Sequence, residues 1–203
     1  MGLIKTLNVT FDKPALYCVG AKCGIGKTSF LATLSGELVS NDKHVLYLTN
    51  EVHGKDIIKK IHKNLPIKIV LNGLIKVKNF TEVNLSVDEA FQEDYFDVVI
   101  IDGDFSPSIE TYKEIINNYE CSVIISYQLS STAIDDRIKS IPNISMIQKS
   151  DVSLILTRKI HVDDFFENLK YFICFWLDKP NLRVNVIKNR FGKESANDIK
   201  INF

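Results

Sequence analysis

The sequence has no net charge, few prolines and glycines, and no cysteine pair at metal-binding spacing. Balanced charge leaves no global basic field, which weakens a nucleic-acid reading while leaving room for contact through a few local loops. The five prolines and nine glycines form no linker, repeat or low-complexity segment, so a single domain over residues 1–203 is expected. Cys18, Cys23, Cys121 and Cys174 show no paired ligand spacing. Cys18 and Cys121 lie in apolar runs and read as small buried hydrophobes. No apolar segment of signal-peptide type follows the start, and the longest apolar stretch, near 171–177, is too short to span a bilayer. A soluble protein of a reducing cytosol is the expectation.

What the sequence does contain is organised around Ala21-Lys22-Cys23-Gly24-Ile25-Gly26-Lys27-Thr28. An apolar run precedes it, and Ser29-Phe30-Leu31-Ala32-Thr33-Leu34 follows. Strand, glycine-containing turn and helix in that order form the context of a phosphate-binding P-loop. Amides of a turn that opens a helix converge on an anion, and the helix N-terminus adds favourable partial charge. Ala21 through Ser29 are therefore the candidate nucleotide-binding residues. Gly24 and Gly26 let the backbone approach phosphate oxygens, Lys27 would reach the β- and γ-phosphates, and the Thr28 hydroxyl would ligate Mg²⁺. The usual motif opens with glycine. Here Ala21 takes that place, with Gly20 one residue earlier as the small residue suited to a tight turn.

Apolar runs and helical periodicities alternate through the rest of the chain. Leu7-Asn8-Val9-Thr10-Phe11 reads as a short edge strand, and 27–39 as the P-loop helix. Val45-Leu46-Tyr47-Leu48-Thr49 reads as a buried strand ending in Asn50-Glu51. A helix over 56–62 carries Ile57, Ile58 and Ile61 on one face and Lys55, Lys59, Lys60 and Lys63 on the other. That basic face reads as a solvated helix surface or as a nucleic-acid contact. Asn72-Gly73 between 67–71 and 74–78 signals a hairpin. Ser86 with Glu89 forms a capping-box pattern for a helix over 86–93. Strands are expected at 96–102, 122–126 and 152–157, with a helix over 109–118. An aromatic helix over 163–177 follows, whose stretch 171–177 also reads as a strand. Two terminal strands, 182–187 and 199–203, bracket the polar segment 188–192. This alternation predicts an α/β fold with a mostly parallel sheet covered on both faces.

Three polar residues end the central strands. Asp102 closes the apolar run Val98-Val99-Ile100-Ile101, as the metal-holding aspartate of a P-loop ATPase does. Glu51 reads either as an exposed loop glutamate or as the carboxylate that orients or deprotonates an attacking water. Gln128 has an amide that both donates and accepts, which suits a γ-phosphate sensor. Parallel strands bring such ends to one edge, where open α/β sheets bind ligands.

These motifs, in this order, resemble the ATPase domain of DnaB-type replicative helicases, members of the RecA-like P-loop group. The similarity covers nearly all of 14–203. It rests on Ala21 to Thr28, Leu48-Thr49-Asn50-Glu51, Val99-Ile100-Ile101-Asp102 and Ser126-Tyr127-Gln128-Leu129. It continues through Gln148-Lys149-Ser150-Asp151-Val152 with Arg158, Lys188-Asn189-Arg190-Phe191-Gly192 and Ile199-Lys200-Ile201-Asn202-Phe203. The resemblance implies a RecA-like fold with C-terminal antiparallel strands and hydrolysis of ATP with Mg²⁺. It implies Glu51 as general base, Lys27 as charge stabiliser and Gln128 as sensor. Lys188 and Arg190 match the paired cations that reach the γ-phosphate of a neighbouring subunit, so a homo-oligomer, a hexameric ring in this family, is implied. Single-stranded DNA and replication proteins are the implied partners.

Two departures stand out. The family's N-terminal primase-binding domain and linker helix have no counterpart, so a minimal form is expected. The segment 130–150, where the family contacts DNA, has Arg137 and Lys139 but carries Ile141-Pro142-Asn143-Ile144 in place of the family's Arg-Glu-Ser-Gly. A nucleotide-switched assembly or scaffold protein with little hydrolysis is therefore the alternative. No segment supplies the acceptor pocket and lid arginines of a small-molecule kinase, and no Asn-Lys-x-Asp motif marks a GTPase.

Overall fold

The computed structural model describes residues 3–64, 73–103, 108–129, 149–158, 181–193 and 195–200. The elements in chain order are α1 (Leu3–Leu7), β1 (Leu16–Ala21), α2 (Lys27–Ser40), β2 (Val45–Thr49) and α3 (Gly54–Asn64). Next come β3 (Ile75–Asn79), α4 (Val83–Glu93), β4 (Val98–Asp102), α5 (Ile109–Tyr119) and β5 (Ser122–Gln128). The last are β6 (Val152–Arg158), β7 (Asn181–Asn189) and β8 (Ser195–Lys200). The strands form one sheet in the order β3-β2-β4-β5-β1-β6-β7-β8. Every pairing from β3 through β6 is parallel. β6–β7 and β7–β8 are antiparallel.

β1, β2 and β4 are buried at every position, because helices cover both faces of the sheet. Alternate strand residues feed two cores. Tyr17, Val19, Tyr47, Ile100 and Ile124 pack with Phe30, Leu34 and Leu38 of α2 and with Ile57 and Ile61 of α3. Leu16, Cys18, Leu48, Val99 and Ile125 pack on the other face with Val87 of α4 and Tyr112 and Ile115 of α5. Among the described residues no helix is long and apolar enough to cross a membrane.

The RecA-like α/β architecture expected from the alternation is present, including its antiparallel C-terminal strands. Several local readings change. The segment 7–11 is not a strand: α1 ends at Leu7, and Asn8 turns the chain with φ 52°. Its apolar alternation reflects burial of Leu7, Val9 and Phe11, while the Thr10 carbonyl accepts from the Tyr17 hydroxyl at 2.6 Å instead of joining a ladder. α4 begins at Val83, so Ser86 lies inside the helix, its N–H donating to the Glu82 carbonyl at 3.2 Å. Burial of Val83 and Val87, one turn apart, extends the helix past the cap signal. Lys188 and Asn189 belong to β7, opposite Ser153 and Val152. The tighter turn that follows starts β8 at Ser195, earlier than the expected 199. β3 pairs in parallel with β2. The other arm of the expected hairpin, the aromatic segment 163–177 and the loop 130–148 lie outside the described residues.

Candidate functional site

The loop after β1 enters α2 through two glycines in the left-handed region, Gly24 at φ 74° and Gly26 at φ 109°. An added Cβ at Gly24 would meet nothing within 4 Å, so backbone torsion is what demands glycine there. Gly26 is the N-cap of α2 and offers no side-chain hydrogen bond. The first-turn amides of the helix thus face the loop without a side-chain acceptor from the cap, the arrangement that anions satisfy. Lys27 and Thr28 are half-buried at this mouth, and Ser29 is buried behind them. Ala21 is buried at the strand end, Lys22 and Ile25 are half-buried, and Cys23 is exposed.

Gly20 does not belong to the turn. It lies in β1 opposite Tyr127, where an added Cβ would come within 2.6 Å of the tyrosine ring and 2.9 Å of Ile155. Its small size makes room for that ring.

Register brings the other candidates to the same edge. Thr49 pairs with Asp102, and Ala21 pairs with Gln128. The carboxyl ends of β1, β2, β4 and β5 therefore form one rim, carrying the loop, Glu51, Asp102 and Gln128. Between the strand bearing the loop and the strand bearing Asp102 lies a single strand, β5.

Asp102 is fully buried. Its Oδ2 accepts a 2.8 Å hydrogen bond from the Tyr47 hydroxyl, while its buried Oδ1 has no hydrogen-bond partner. Burial, reinforced by this carboxylate, pushes the Tyr47 phenol well above its ordinary pKa. An orphaned buried carboxylate oxygen beside a threonine-bearing P-loop is the donor set that a magnesium ion takes: hard oxygens, few in number, with water completing the shell. The residues present fit the ion.

Glu51 is exposed in the turn after β2. The turn is tied on both sides. Asn50 N–H donates to the Asp102 carbonyl at 3.4 Å, and Val52 N–H to Thr49 Oγ1 at 3.4 Å. Gln128 is exposed at the end of β5, and Leu129 N–H donates to the Ala21 carbonyl at 2.9 Å, fastening β5 to the start of the loop.

Lys188 and Arg190 are not part of this rim. They sit at the opposite edge, by the amino ends of β1 and β6, because β7 runs antiparallel. Arg190 Nη1 pairs with Asp151 Oδ1 at 2.9 Å, and Asp151 Oδ2 accepts from the Leu16 amide at 3.0 Å. Lys188 Nζ donates to the Ser150 carbonyl.

Three residues at the rim carry no motif signal. Tyr47 reads in the sequence as one more apolar strand position. Asn79 reads as a polar strand end. Lys60 belongs to the basic face of α3, but its Nζ donates to Ser29 Oγ at 3.3 Å and so leans toward the loop. Lys55, Lys59 and Lys63 are exposed, and Lys59 pairs with Asp56 at 3.0 Å.

No protein-family model matches the chain, and no curated protein sequence does. Solved structures do resemble it. One, described as the ATPase domain of a DnaB-like helicase, superposes with a TM-score of 0.63 at 17% identity, over 93% of this chain and 82% of that one. "The Structure Of A DnaB-Like Replicative Helicase And Its Interactions With Primase" gives 0.64 at 16% identity, over 94% of this chain. This chain spans 57% of that helicase's length. The fold is that of DnaB-like helicase ATPase domains.

Proposed function

We propose that this chain, as one ATPase domain over 1–203, hydrolyses ATP with Mg²⁺ and couples the reaction to movement along single-stranded DNA during replication. The observation that carries the hydrolytic part is the shared rim. An uncapped helix N-terminus with Lys27 and Thr28 stands on the same sheet edge as a buried carboxylate whose Oδ1 lacks a partner. The DNA-coupled part rests on likeness of fold to helicase ATPase domains.

In this reading the backbone of residues 21–29 binds the phosphates, and the Lys27 ammonium offsets charge on the β- and γ-phosphates. Thr28 and Asp102 would hold Mg²⁺, which neutralises charge building up on the phosphate oxygens. Glu51 takes a proton from the water that attacks the γ-phosphorus. The bond from the γ-phosphorus to the bridging oxygen breaks, and ADP and phosphate leave. Gln128 bonds the γ-phosphate or the water. Lys188 and Arg190, on the far edge, act on the site of a neighbouring copy, so turnover requires assembly, as a ring of six in this family. The cytosol is the proposed compartment.

The test is ATP turnover with and without single-stranded DNA, alongside mass measurement with a non-hydrolysable ATP analogue. DNA-stimulated turnover that Lys27→Ala abolishes, together with nucleotide-dependent assembly, supports the reading. Assembly without turnover supports the switch-like alternative, and a strictly monomeric species overturns the contribution of Lys188 and Arg190.

A further inference from the structure

The turn that carries Glu51 is held by a side chain from a different strand. Asn79, the last residue of β3, donates from Nδ2 to the Thr49 carbonyl at 3.3 Å and to the Val52 carbonyl at 3.0 Å. Its Oδ1 accepts from the Gly54 amide at 3.0 Å. Both amide hydrogens and the carbonyl oxygen are used, and the reverse orientation would set donor against donor and acceptor against acceptor. The neighbouring Phe80 amide adds a bond to the Thr49 carbonyl at 3.3 Å.

The bonded groups bracket one residue. Thr49 and Val52 lie on either side of Asn50-Glu51, and Gly54 opens α3. A carboxylate in a water-exposed turn reaches an attacking water only if its backbone is fixed, since small misplacement is costly in catalysis. Asn79 supplies that fixation from outside the turn and caps the first amide of α3.

We infer that Asn79 is a positioning residue for Glu51, clamping the 49–54 turn so that the carboxylate meets the water attacking the γ-phosphate. This rests on the hydrolytic role proposed for Glu51. Two variants separate positioning from plain helix capping. Asn79→Ala removes all three bonds. Asn79→Asp keeps the acceptor for the Gly54 amide, and its charge suits the N-terminus of α3. It loses both donations to the carbonyls.

The experiment measures ATP turnover of the full chain with Mg²⁺ and single-stranded DNA, binding of a fluorescent ATP analogue, and amide exchange across 50–57. For both variants kcat is expected to fall roughly 10–100-fold, with nucleotide affinity within about twofold and faster exchange at Val52. Combined with Glu51→Gln, neither variant should reduce turnover further. Wild-type kcat in Asn79→Asp, where Glu51→Gln is inactive, overturns the clamp alone. A loss additive with Glu51→Gln does the same. Undiminished turnover by Glu51→Gln overturns the role of Glu51 and the clamp with it.

Discussion

The Tyr47 hydroxyl on β2 donates to Oδ2 of Asp102 at the end of β4, at 2.8 Å, while Oδ1 of the same buried carboxylate has no hydrogen-bond partner. One oxygen is thereby held and the other turned over to whatever the rim binds. A tyrosine fixing a metal-binding carboxylate in this way acts as the outer-sphere partners of metal ligands do.

Tyr47→Phe is expected to leave the carboxylate unsupported. The Mg²⁺ concentration needed to strengthen binding of a fluorescent ATP analogue should rise about 10–100-fold. Urea unfolding without nucleotide should show a loss of about 1–3 kcal/mol from the unpaired buried acceptor. An unchanged Mg²⁺ requirement would show that the tyrosine does not support the ion.

Gly20→Ala places a methyl 2.6 Å from the Tyr127 ring in a packed layer. A destabilisation of about 1–3 kcal/mol is expected, read as a lower urea midpoint with an unchanged slope. Tyr127→Leu in the same chain should recover much of it, since the two sites are in contact. Tyr127→Phe by itself should be nearly neutral, because the hydroxyl it removes is buried and has no hydrogen-bond partner.

Arg190→Ala breaks an ion pair whose arginine side chain is 73% exposed, so the cost in stability should be under about 1 kcal/mol. Nucleotide affinity should persist while DNA-stimulated turnover is lost. Because Arg190 and the loop occupy opposite edges, mixing Arg190→Ala subunits with Lys27→Ala subunits should restore part of the turnover. A mixture as inactive as its components would contradict a contribution across subunits.

The cysteines should respond unequally to a thiol reagent at pH 8. Burial pushes the Cys18 and Cys121 thiols up to about 12, from an ordinary value of 9.0, so both stay protonated and unreactive in the folded chain. Cys23 is exposed in the loop and should be modified first, more slowly when nucleotide is bound, as peptide mapping would show. With folded values raised above unfolded ones, the stability these thiols contribute is complete below about pH 9. It should fall as pH climbs through about 12.

Much of the architecture can be read locally. The residues of β2, β4 and β5 form near-continuous β-branched and aliphatic runs, and α2 and α5 carry apolar residues at helical spacing. Where local pattern misled, burial had competing causes. Leu7, Val9 and Phe11 alternate as a strand does, although the chain reverses at Asn8. Ser86 and Glu89 resemble a cap, although Val83 is buried one turn earlier. Gly20 resembles part of a turn, although its role is to admit the Tyr127 ring.

The glycine loop entering α2 is written into consecutive residues, because a torsion requirement and a helix start depend on only a few neighbours. The polar residues that end each strand are marked in the same local way. Which of them meet is a matter of long-range pairing. Parallel register set Thr49 beside Asp102 and Ala21 beside Gln128, whereas the reversed direction of β7 carried Lys188 and Arg190 to the far edge. Tyr47 beneath Asp102 and Asn79 across the Glu51 turn are contacts between strands far apart in the chain, and strand pairing rather than local pattern creates them.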